Sequence, residues 1–174
     1  LERFEACLAI ETALLVERPD DATLRGAAAA SHNTIGAVLR TLGRLDESLA
    51  HHRQELAFHE ELVHREPGTV QWRQFLSVSH NRVAMLLEAT GSLEAAAAHA
   101  AEALAIAGRL SAEDPSNLDW LRELGRSHHR AGAIAGARGK AAEALTHLRS
   151  GADTMQRLVR DRKSTRLNSS HSSP

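Results

Sequence analysis

An all-α architecture, a right-handed α-solenoid of antiparallel helix hairpins with about seven helices, is predicted by three sets of residues that recur at one interval. Pro19, Pro67 and Pro115 are 48 residues apart, and so are Gly43, Gly91 and Gly139. The dipeptides Ser31-His32, Ser79-His80 and Ser127-His128 keep the same spacing. Such self-similarity marks stacked copies of one supersecondary unit, none of which can bury its apolar face alone. Composition agrees. Hydrophobic residues make up 43% of the chain, much of it alanine, and aromatics only 3%, with no tyrosine. That mixture suits closely approaching helices better than a sheet, which draws on β-branched and aromatic residues.

The register divides the chain into residues 1–18, the second helix of a truncated repeat, and three repeats at 19–66, 67–114 and 115–160. Each repeat opens after its proline with an anchoring apolar residue, Leu24, Trp72 or Trp120. Ile35, Val83 and Ala131 follow, then the small residues Gly36, Ala84 and Gly132, then Leu39, Leu87 and Ala135. This is the spacing of a buried helical face with a small residue where another helix comes close. It predicts first helices over 21–42, 69–90 and 117–138.

The glycines at 43, 91 and 139 end those helices, because a residue just past a helix end commonly turns left-handed. Second helices begin near Leu45, Leu93 and Ala141, with acidic residues in the first turn facing the positive end of the helix dipole. They run through Leu62, Leu110 and Leu158. The first two stop at Glu66-Pro67 and Asp114-Pro115, since the residue before a proline avoids helical angles. Residues 1–17 match the same second helix, with Leu8 and Leu14 in register.

Register is lost at Asp161. Arg162 and Lys163 stand where an acidic residue and a proline are due, and Asn168 where a tryptophan is due. The run from Asp161 to His171 resembles the translation of a common sequencing adapter. Residues 161–174 are therefore expected to be a non-native, disordered tail and carry no weight in the functional reading. The chain starts at Leu1 without a methionine and is expected to be a fragment.

Bulk properties narrow the function classes. A formal net charge of −1 offers no whole-chain attraction to nucleic acid or an acidic membrane, so neither is expected as a partner. The single cysteine, Cys7, allows no disulfide framework; it lies in an apolar stripe and is expected to be a small core residue. No apolar run approaches the roughly 20 residues of a membrane span. A cytoplasmic location is expected.

Eleven histidines invite a metal reading. They include two ladders, His32, His80, His128 on first helices and His51, His99, His147 on second helices. Equivalent residues one repeat apart are roughly 20 Å from each other, given helix spacings of about 8–10 Å. Ligands of one zinc ion lie about 2 Å from it, so one ladder forms no site. The ladders are read as a packing or interhelical hydrogen-bond position, and no metal is expected. His59 and His64 flank a zinc-protease-like stretch, but at i+5 their rings diverge by about 140° around the axis. The adjacent pairs His51-His52 and His128-His129 each suggest one packed and one solvated ring. No phosphate loop, nucleophile elbow or Cys–His pair is present, so no catalytic residue and no cofactor are expected. Trp72 and Trp120 are assigned to packing between repeats.

The hairpin pattern resembles the tetratricopeptide repeat. That family has a small residue in the first helix, a glycine at the turn, a small residue in the second helix and a closing proline. Gly36, Gly43 and Ser48 match, as do Ala84, Gly91 and Ala96, and Gly132, Gly139 and Ala144. The resemblance covers about residues 1–160 and departs in period, 48 rather than 34. The family's aromatic positions are taken by histidine, leucine or alanine. The long unit, with its Asp-Pro-x-Asn-x-x-Trp entry from Asp114 to Trp120, resembles repeats of bacterial multidomain signalling proteins.

The resemblance implies a non-enzymatic scaffold that binds a peptide or protein partner on its concave face. Positions matching the groove-lining sites are Asn33, Asn81 and His129, then Arg82 and Arg130, with Arg126 a turn earlier. Reversing the charge of Arg82 and Arg130 is expected to weaken partner capture without lowering helicity. The alternative is the regulatory repeat region of a larger signalling enzyme, kinase- or protease-like, whose catalytic domain is missing from this chain. Exposed apolar repeat ends lead to an expectation of self-association.

Overall fold

The computed structural model describes the backbone of residues 1–170 and the side chains of residues 1–160. Seven helices follow in order: α1 (Glu2–Glu17), α2 (Ala22–Thr41), α3 (Leu45–Arg65), α4 (Val70–Ala89), α5 (Leu93–Glu113), α6 (Leu118–Ala137) and α7 (Ala141–Ser170). Among the described residues there is no strand. Each helix packs on the next, and α4 also touches α6. The fold is therefore an array of helical hairpins, α2–α3, α4–α5 and α6–α7, with α1 leaning on the first.

The punctuation read from the sequence is what shapes the chain locally. Gly43, Gly91 and Gly139 have φ of +74°, +82° and +76°. Behind each, the N–H of Arg44, Ser92 or Lys140 donates to the carbonyl of Leu39, Leu87 or Ala135 at 2.8–2.9 Å, closing the helix with a Schellman-type bond. At the other junctions Arg18, Glu66 and Asp114 leave the helical region ahead of their prolines, with φ of −128°, −128° and −139°. Asp21 caps α2 by accepting from Leu24 N–H, and Asn117 caps α6 by accepting from Asp119 and Trp120 N–H.

The core lies along the seams between helices. Ile35, Val83, Leu39, Leu87 and Ala135 are buried, with Ala131 partly so. Close approach is tuned separately in each hairpin. A Cβ on Gly36 would sit 2.8 Å from His52 Nε2, and one on Gly132 would sit 2.9 Å from Leu148 Cγ. In the middle hairpin the equivalent positions hold Ala84 and Ala100, both buried in the central apolar cluster. A glycine thus faces a long side chain in the outer hairpins, while two alanines share the space in the middle one.

Trp72 crosses a repeat boundary. A Cβ on Gly26 would lie 3.4 Å from its ring, and its indole N–H donates to Glu66 Oε2 at 2.7 Å. Trp120 does likewise, with its indole N–H 3.4 Å from Gln74 Oε1.

One expectation changes. Cys7 is exposed rather than packed, because α1 has α2 as its one neighbour and buries no residue completely, Leu8 and Leu14 being half-buried. Helical backbone of α7 runs to Ser170, through the first ten residues of the segment expected as a tail. Residues 171–174 of that segment lie outside the described residues.

Candidate functional site

Five of the six residues selected by register, Asn81, Arg82, Arg126, His129 and Arg130, line one groove of about 720 Å³ between α4, α6 and α7. Asn33 does not join them. It sits on α2, which makes no direct packing with α4, whereas α4 and α6 touch and bring two repeats' first helices to one cleft. Val78, Met85, Leu148 and Met155 supply the apolar lining, and these methionines are the two in the chain. Gly125 and Gly151 let α6 and α7 close up behind it: a Cβ on Gly125 would fall 2.5 Å from Met155 Cε.

The three arginines differ in how far they are already engaged. Arg82 Nη1 donates to Glu55 Oε1, a carboxylate only 1% exposed, which also accepts from Ser79 Oγ at 3.2 Å and contacts His52 Nδ1 at 2.8 Å. Arg130 Nη1 donates to Glu88 Oε2 at 2.8 Å. Arg126 is 65% exposed and reaches Glu123 at 3.8 Å, which leaves its guanidinium the most available to a ligand. Burial pushes the carboxyl of Glu123 above the ordinary carboxylate range, against the lowering effect of its bond from Asn81. Asn81 is aimed by its amide: Nδ2 donates to Glu123 Oε1 at 2.7 Å and to Ser127 Oγ at 2.8 Å, while its buried Oδ1 has no hydrogen-bond partner. A buried acceptor left unmade costs about 1–3 kcal/mol.

These pairings alter one expectation. Arg82→Glu would set a second carboxylate against buried Glu55, so it perturbs the fold as well as the groove. Arg126, 65% exposed and 3.8 Å from Glu123, is the arginine whose reversal disturbs the fold least.

The two histidine ladders are joined. Within each hairpin one member of each ladder meets the other through Nδ1: His32 with His51 at 3.0 Å, His80 with His99 at 3.0 Å, and His128 with His147 at 3.4 Å. The 19-residue offset common to all three is visible in the sequence, but only a view across the hairpin gives it meaning. Burial, then the facing histidine, pulls the pKa of His32 and of His80 from 6.5 to about 4, and moves His128 in the same direction. His59 is buried and bonded to Ser79 Oγ at 2.7 Å, whereas His64 is exposed, as the i+5 offset predicts. Among the described residues no three His, Cys, Asp or Glu side chains converge as ligands of one metal ion.

The described helices include none long and apolar enough to cross a membrane. No protein-family model and no curated protein sequence matches the chain. Its fold is similar to the crystal structure of BtubC (BKLC) from P. vanneervenii, with a TM-score of 0.64 and 17% identity. The likeness covers 90% of this chain and 58% of BtubC, so the chain spans little more than half of that protein. At that identity the likeness concerns fold: this is a helical protein built from repeated hairpins.

Proposed function

We propose that the chain is a tetratricopeptide-like interaction module, without catalytic activity, that seats an acidic peptide or helix bearing apolar anchors in the α4–α6–α7 groove. The observation that carries this reading is one cleft holding an exposed Arg126 beside both methionines. Each feature asks for a different part of a peptide. The guanidinium pairs with a carboxylate, and the methionine side chains repack around aliphatic or aromatic anchors. Arg82 and Arg130, held by Glu55 and Glu88, shape the walls.

Selection from a random peptide library tests the reading. Peptides enriched on the wild-type protein should combine Asp or Glu with apolar residues, and should be lost on an Arg126→Glu variant of unchanged helicity. Enrichment of neutral or basic peptides, or equal recovery by the variant, would refute it.

Self-association is a second mode with its own support. The outer faces of the array leave large apolar side chains in solvent: Ile10 and Val16 on α1, Leu145 and Val159 on α7. Joining α7 of one copy to α1 of the next would be a head-to-tail contact. Sedimentation at rising concentration should show oligomers, and Val159→Glu should disperse them; a concentration-independent monomer would exclude the mode.

A further inference from the structure

Every hairpin carries a histidine–histidine contact that does not line the α4–α6–α7 groove. We propose that the pairs His32/His51, His80/His99 and His128/His147 are a tandem series of two-histidine sites for a divalent, imidazole-preferring transition metal, zinc first, completed by water. This reverses the sequence-based expectation that no metal is bound, which treated each ladder separately.

The geometry fits a cation in place of the shared proton. Two nitrogens about 2.0–2.1 Å from one ion lie about 3.3–3.4 Å apart at a tetrahedral angle and about 2.9 Å apart at a right angle. The observed Nδ1–Nδ1 distances of 3.0, 3.0 and 3.4 Å span that range. Without a cation, two neutral imidazoles of opposite tautomer share an N–H···N hydrogen bond. A cation takes two like lone pairs, and both sides here present the same atom of the same residue.

The internal repeats strengthen the point. The neighbouring polar residues Ser48, His52 and Glu55 become Ala96, Ala100 and Ala103 one repeat later, while both histidines stay. Binding needs only a tautomer shift. The ring that carries its proton on Nδ1 moves it to Nε2, so the neutral rings release no proton, and an ion bridging the two arms of a hairpin favours the folded state.

Equilibrium dialysis of the full chain against zinc chloride tests this. Wild type should take up three equivalents, one fewer for each of His51→Gln, His99→Gln and His147→Gln, and the same number after His64→Gln. Absence of uptake by wild type, or equal uptake by the triple variant, would overturn the proposal. Nitrogen NMR of the wild-type imidazoles gives a reading that needs no variant. Zinc should shift Nδ1 of the paired rings, and shifts confined to Nε2 would overturn the proposal too.

Discussion

Removing the carboxylate of Glu55 should be the most damaging single change in the groove wall, and the structure sets its size. Glu55 is buried and joins three side chains: His52 on its own helix, and Ser79 and Arg82 on α4. In Glu55→Ala, Ser79 keeps Phe75 O and His59, so it relaxes cheaply. Arg82 is 34% exposed and regains water. His52, 2% exposed, does not; its Nδ1 is stranded at a cost of about 1–3 kcal/mol. The void left by the side chain adds about 1 kcal/mol or more. Together these give about 3 kcal/mol, the low end of the roughly 3–5 kcal/mol for breaking a buried pair, because one partner reaches solvent. That corresponds to a fall in melting temperature of roughly 6–12 °C for a domain of this size. Urea unfolding followed by circular dichroism measures it against Glu88→Ala, which breaks the half-buried pair with Arg130 and should cost about 1 kcal/mol or less. Equal losses in the two variants, or a Glu55→Ala loss under about 0.5 kcal/mol, would refute the reasoning.

Other outcomes follow from the hairpin geometry. Gly36→Ala should destabilise by roughly 1–2 kcal/mol as its Cβ meets His52, and His52→Ala in the same chain should relieve most of it, rebuilding the Ala84/Ala100 arrangement; chemical denaturation of the single and double variants reads the coupling, and simple additivity would contradict it. Gly91→Ala meets no atom within 4 Å, so its loss of about 1–2 kcal/mol is backbone strain alone, and a neutral result would deny the left-handed turn. With chelator present, stability should fall as pH drops from 6.5 towards 4. His32 and His80 titrate near 4 when folded, so the unfolded chain binds more protons across that window. The slope has a ceiling of about 1.4 kcal/mol per pH unit per ring, lowered by solvent reaching them. Glu123, raised by burial, acts in the opposite direction, while paired acids such as Glu61 and Glu113 add their loss only below about 4.5. A melting temperature flat between pH 6.5 and 5 would contradict the shift.

Most of the fold was legible because its determinants are local. The positive-φ glycines, the prolines and the i, i+4 stripe of Ile35 and Leu39 act within one helix turn, and their period fixes where each helix starts and stops. The groove was legible in part, since register alone places Asn81, Arg82, His129 and Arg130 at equivalent points of successive first helices. Contacts made across helices were not. Nothing in the spacing of Arg82 tells that Glu55, on the preceding helix, already holds it, or that Met155 of α7 closes the groove against Gly125. Such contacts depend on how each helix is rotated against its neighbour. The same holds for Cys7, whose stripe looks buried until α1 is seen with one neighbour.

Methyl NMR tests the binding account most directly, because Met85 and Met155 are the chain's two methionines and both line the groove. With ¹³C-methyl methionine and a library-selected acidic peptide, both resonances should shift together and saturate with the peptide, and Arg126→Glu should weaken the titration at least tenfold. Saturable binding that leaves the two methyls unmoved would place the partner elsewhere and contradict the account.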